Sequence, residues 1–173
     1  MEKDKKIPVI ISITGLHSVI SEPVSDPDPE SDETKENARG FFSKRQNTVY
    51  LIYDLNSGKE DDLSLNGISE DTVIGNCMVK ISESPFRVEV KRNIRKSVTC
   101  ADSLLQTRSF YEQGVFSSGF HETPFGIIET GNMTETISVF ETDNSFSCMI
   151  KGTLYINNSP ASEFTLKIEA VKL

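Results

Sequence analysis

Phe120-His121-Glu122-Thr123-Pro124-Phe125-Gly126-Ile127-Ile128 reads as a strand, a sharp corner and a second strand. Pro124 has no amide hydrogen and a fixed φ, so it cannot sit within the ladder of a central strand. Gly126 has no Cβ and permits a bend or a close crossing of backbone. Apolar residues flank the corner at Phe120, Phe125, Ile127 and Ile128. That flanking predicts a packed corner rather than a loose surface loop.

Outward from the corner, period-2 alternation dominates, and such alternation marks half-buried strands. Ile7, Val9, Ile11 and Ile13 share one face of a first strand over Lys6–Leu16. A hairpin joins Arg39–Ser43 to Thr48–Asp54 through the polar turn Lys44-Arg45-Gln46-Asn47. Cys77, Val79 and Ile81 share a face, and Phe86, Val88 and Val90 alternate with Arg87, Glu89 and Lys91. Ser103–Tyr111 and Val115–His121 precede the corner; Phe125–Thr130 and Glu135–Glu141 follow it. The clearest strands come last: Phe146, Cys148, Ile150, Leu154 and Ile156 share one parity in the first, and Phe164, Leu166, Ile168 and Ala170 share one face of the second. Asn157-Asn158-Ser159-Pro160 connects them as a turn. Ala101–Gln113 is the one stretch that could hide a helix. About eight to ten antiparallel strands joined by turns imply a sandwich or a closed barrel. No long repeat suggests a propeller or solenoid.

The 173 residues suit a single domain over 1–173. No apolar run is long enough for a membrane-spanning helix, and no signal sequence is convincing, so a cytoplasmic protein is expected. Cys77, Cys100 and Cys148 are odd in number and far apart. Neither a disulfide framework nor a zinc site follows, and Cys77 and Cys148 read as buried structural thiols. The net charge is −8, and most of the excess lies between Glu22 and Glu36. With Pro23, Pro27 and Pro29 among like charges, the segment at about 18–38 reads as a mobile acidic loop, with room for a short strand near either end. Leu55–Thr72 reads as a second long polar loop. The remaining charge is nearly balanced and offers no basic face for nucleic acid.

The order of motifs resembles a known family. It runs from Gly40-Phe41-Phe42 through Tyr50-Leu51-Ile52-Tyr53-Asp54 and Val79-Lys80-Ile81 to Val88-Glu89-Val90-Lys91-Arg92. It continues through the corner Thr123-Pro124-Phe125-Gly126 to Tyr155-Ile156-Asn157-Asn158 and an alternating last strand. This is similar to the YwiB-like family of bacterial proteins, a domain of unknown function. The resemblance implies a single all-β fold, an antiparallel calycin-like (lipocalin-like) barrel, and brings no established activity. Asn93 follows Arg92 where the family favours glycine at a turn.

Few residues point to chemistry. No nucleophile elbow, phosphate-cradling loop or dinucleotide fingerprint is present, and no ligand spacing suggests a metal or cofactor. A non-enzymatic protein is expected. Arg92 shares parity with Val88 and Val90, so it projects inward at a barrel end. A structural ion pair there outweighs contact with an anionic ligand group. Tyr50 and Tyr53 either pack as cross-strand pairs or offer hydroxyls to a cavity. His121 reads as a hydrogen-bonded structural histidine before a general base, and His17 borders the acidic loop. The candidate ligand-binding set is therefore Arg92, Tyr50, Tyr53 and His121. The partner expected from such a barrel is a small apolar or amphipathic ligand. The alternative is a filled barrel acting through its surface and acidic loop.

Overall fold

A computed structural model of the chain describes residues 5–20, 31–57, 73–95 and 103–173. Among them every regular element is a strand. The first five are β1 (Ile7–Val19), β2 (Ser31–Arg45), β3 (Thr48–Ser57), β4 (Val73–Ser82) and β5 (Arg87–Arg95). They are followed by β6 (Ser103–Glu112), β7 (Phe116–Thr123), β8 (Gly126–Glu141), β9 (Ser145–Ile156) and β10 (Ser159–Lys172). Each strand pairs antiparallel with the next, and β1 also pairs with β10, which closes the barrel. Closure removes the unpaired edges an open sheet would present.

Local chemistry explains the tight connections. Asn157 and Asn158 both adopt positive φ (49° and 63°), the backbone a two-residue hairpin needs and asparagine tolerates. Gln46 takes the same region (φ 51°) in the β2–β3 turn. Gly40 serves a different purpose. A Cβ there would stand 2.5 Å from the Ile52 carbonyl and 2.8 Å from Tyr53 Cβ, so only glycine lets β3 come this close.

The pairing of β6 with β7 is short, running from Gln106↔Glu122 to Arg108↔Phe120. Beyond it, Asn132 of β8 reaches across and donates from Nδ2 to the Phe110 carbonyl at 3.2 Å. Gly114 N–H likewise donates to the Thr134 carbonyl at 2.8 Å. These bonds serve backbone groups that a continuous ladder would otherwise pair.

The interior divides in two. Val9, Phe42, Val49, Leu51, Val79, Ile81, Val88 and Phe146 fill one end and are essentially inaccessible. Toward the other end the barrel encloses a cavity of about 440 Å³. Antiparallel topology puts the last residues of β1, β3, β5, β7 and β9 and the first residues of β2, β4, β6, β8 and β10 at that end.

Several expectations change. The acidic segment carries strand at both of its ends, His17–Val19 in β1 and Ser31–Ala38 in β2, the second longer than the short strand expected there. The register Ile13↔Glu36 and Gly15↔Thr34 pairs these residues with the first strand. Backbone pairing with β1 therefore overrides a composition that by itself favours loop. Residues 21–30 of that segment, 58–72 of the second polar loop, and Cys100 lie outside the described residues. The Pro124 corner is not packed: Phe125 is 100% exposed and Ile127 is 65% exposed at the tip of the β7–β8 hairpin. Phe125 sits in the turn itself, and Ile127 has the opposite parity to the inward Ile128, so it faces outward. The Ala101–Gln113 stretch forms β6 over the described part. β5 runs on through Asn93 to Arg95, so no turn follows Arg92.

Candidate functional site

The strand registers align one row of neighbours on the inner wall: Gly40, Tyr53, Cys77, Arg92, Thr107, His121 and Ile128, from β2 to β8. Inward parity is set by the buried residues on either side, Leu51 before Tyr53, Val79 after Cys77 and Val90 before Arg92. The Arg92, Thr107, His121 and Ile128 part of this row lines the cavity, together with Glu36 and Thr130.

Arg92 Nη2 stands 3.4 Å from Glu36 Oε2, with the two side chains 29% and 22% exposed. Glu36 lies on β2, four residues from Gly40, so this ion pair spans the barrel interior from β5 to β2. Tyr53, 2% exposed, sets its hydroxyl against this pair and the Cys77 thiol. Burial, followed by the Cys77 thiol, pushes the Tyr53 hydroxyl far above its ordinary range. Burial also pushes the Cys77 thiol up to about 11, against the opposing pull of Arg92. A thiol so raised is a poor nucleophile at neutral pH. Burial alone would lower the Arg92 pKa, but Tyr53, Glu36 and Cys77 more than offset it. His121 is lowered by burial and then by the Arg92 charge, so it stays neutral at pH 7.

Among the described residues, five buried polar side-chain atoms have no protein hydrogen-bond partner: Glu36 Oε1, Arg92 Nε, Tyr53 Oη, Thr130 Oγ1 and Thr134 Oγ1. Leaving such atoms unpaired costs about 1–3 kcal/mol each, and more for charged groups. The rest of the cavity wall is largely apolar, with Ile13, Val90, Leu154, Phe164, Leu166 and Ile168. Tyr111 meets Phe164 edge-on at 5.6 Å. Among the described residues, no group of three or more His, Cys, Asp and Glu side chains converges to hold a metal.

Residues 19–168 match a family described as a domain of unknown function, DUF1934. The chain belongs to this family. The DUF1934 barrel also resembles the crystal structure of the YwiB protein from Bacillus subtilis, with a TM-score of 0.65 at 15% identity. The likeness covers 97% of this chain and 93% of that one, and it shows that the two share the barrel fold, which is consistent with a calycin-like barrel. No curated protein matches the chain. No helix of the described residues is long and apolar enough to cross a membrane.

Of the residues the sequence singled out, the DUF1934 fold brings Arg92, Tyr53 and His121 into one row. Tyr50 is left out. It faces outward, where Lys80 Nζ approaches its ring at 6.0 Å, because positions 50 and 53 have opposite parity. His17 is held in β1 with its ring 6.4 Å from that of Phe164, and it lines the cavity. Glu36 was missed, since an acidic stretch hides one inward carboxylate among outward ones. The signal that could have found it is parity with Ala38 and Gly40, counted back from the buried Phe42. Asn132, within a glycosylation-like triplet, turns inward and is committed to Phe110.

Proposed function

We propose that this protein is a non-enzymatic binder of one small, mainly apolar ligand, held in the open half of the barrel. The observation that carries the reading is the 440 Å³ cavity, whose wall is largely apolar and includes Glu36, Arg92 and Thr130 among its polar side chains. A barrel of this size either fills with side chains or holds a single small ligand. Here the chain does the first at one end only. Apolar walls supply affinity, and a few fixed polar groups orient the ligand.

Native mass spectrometry of freshly purified protein, with solvent extraction of whatever is released, tests the reading. A reproducible added mass that disappears on denaturation is expected. A clean mass, together with no response to small amphipathic probes, would count against it.

A second reading, a protein that acts through its surface, is favoured by one observation. Phe116, Phe125 and Ile127 stand exposed on the outer side of β7 and β8 and their connecting turn. Because residues 31–36 belong to β2, a test of the acidic segment should remove only residues 22–30. Lost capture of a partner by that variant, with the barrel intact, would support the surface role.

A further inference from the structure

The outer wall of the barrel carries a depression of about 440 Å³ where β7, β8 and β9 run side by side. The registers set Ser118, Gly131 and Tyr155 in one outward row across these strands. The first two are small, which leaves room above them. A Cβ on Gly131 would stand 2.2 Å from Phe116 Cζ, so glycine is what lets the Phe116 ring lie over the sheet. There the ring meets that of Tyr155 edge-on at 5.2 Å. Phe120 and Ile127 line the depression as well.

Two carboxylates, Glu122 and Glu129, share this lining. Glu122 stands opposite Ile127 in the register, which makes Glu129 its diagonal neighbour, about 7–8 Å away. Among the described residues neither carboxylate has an ion-pair partner. The cation next in register, Arg108 beside Phe120, is held on the β5 side by Glu89 at 2.9 Å and by the Phe110 ring at 4.7 Å. Aromatic faces beside two like charges have one complement, a positive charge on an apolar body. We infer that the depression binds a small organic cation, an ammonium carried on an aromatic or short alkyl group. The ammonium is drawn to Glu122 and Glu129, and the apolar part packs on Phe116, Phe120 and Tyr155. The volume is that of a small-molecule site, and the net charge of −8 favours the approach of a cation. The site lies outside the barrel and is independent of the interior cavity.

The test titrates the full chain, at pH 7 and low salt, with phenethylammonium and with phenethyl alcohol, which puts a neutral hydroxyl in place of the ammonium. Binding is followed by backbone amide NMR shifts. The ammonium is expected to bind about five-fold more tightly, the scale of an exposed ion pair with a cation–π contact. The largest shifts are expected at Ser118, Gly131 and Tyr155. Added salt should shrink the preference, and the double variant Glu122→Gln/Glu129→Gln should abolish it. Both glutamates are exposed, so that variant is expected to fold. Equal affinity of the two probes for the natural protein would overturn the charge complement. Shifts confined to cavity residues such as Leu166 and Ile168 would overturn the location, and binding of neither probe would overturn the site. A response to a lysine-bearing apolar peptide, with none to phenethylammonium, would overturn the small cation in favour of a protein partner.

Discussion

Leu51→Ala and Leu166→Ala make the same chemical change at the two ends of one barrel. Leu51 is fully buried, paired between Phe42 and Val79 in the filled end. Its removal leaves a void that close-packed neighbours cannot collapse into. The expected loss is about 3–4 kcal/mol, the transfer of the side chain plus the cavity it leaves. Leu166 is part-buried and already borders the 440 Å³ cavity. Its truncation enlarges existing space, and the side chain gives up less buried surface. The expected loss is about 1–2 kcal/mol, close to the transfer contribution alone. Urea unfolding at 25 °C separates the two. With a slope of about 2 kcal/mol/M, the midpoints of the variants should differ by about 1 M. Equal losses would refute the division into filled and hollow halves. A barrel packed throughout would then be the better description, and the ligand-binding reading would lose its main support.

Two further predictions concern the wall. Gly152→Ala puts a Cβ 2.3 Å from the Met133 carbonyl and 3.0 Å from Thr134 Cα, both backbone; it should cost about 2–3 kcal/mol in the same urea assay. Gly131→Ala is the control, since only the half-exposed Phe116 ring blocks it, and its loss should be clearly smaller. Glu89 Oε1 accepts from Arg108 Nε at 2.9 Å and stands 3.3 Å from Lys91 Nζ. Burial would raise its pKa, but these two cations outweigh burial and lower it. A carboxylate lowered in the folded state stabilises above its unfolded pKa of about 4.3, and that stability is lost as pH falls through the folded value. Glu89→Gln should therefore cost about 1 kcal/mol at pH 7, and the gap to the natural protein should narrow as pH falls below the ordinary carboxylate range; a gap that does not change with pH would rule out the ionic origin.

Much of the fold was legible in the chain because it is written locally. Alternation along a strand assigns each residue a face, and parity alone placed Val88, Val90 and Arg92 together, as it did Phe164, Leu166, Ile168 and Ala170. Asn157-Asn158 announced its turn through the backbone that asparagine tolerates. The misread stretches were those where local composition and tertiary pairing disagree. Ser31–Ala38 is acidic and polar, yet β1 pairs with it along its length. Phe125 and Ile127 are apolar, yet the first sits in the turn and the second faces outward opposite Glu122, so both stay exposed.

The sequence by itself determined an all-β chain, its strand parities and the inward direction of Arg92, since these depend on the two-residue period of extended backbone. Only the tertiary structure decided that β1 meets β10, that one half of the barrel stays open, and that Glu36 answers Arg92. Those facts depend on register summed around ten strands. A shift of one residue in any of them reverses which side chains face the interior. The row from Gly40 through Tyr53, Cys77, Arg92 and His121 exists only once every register along it is set.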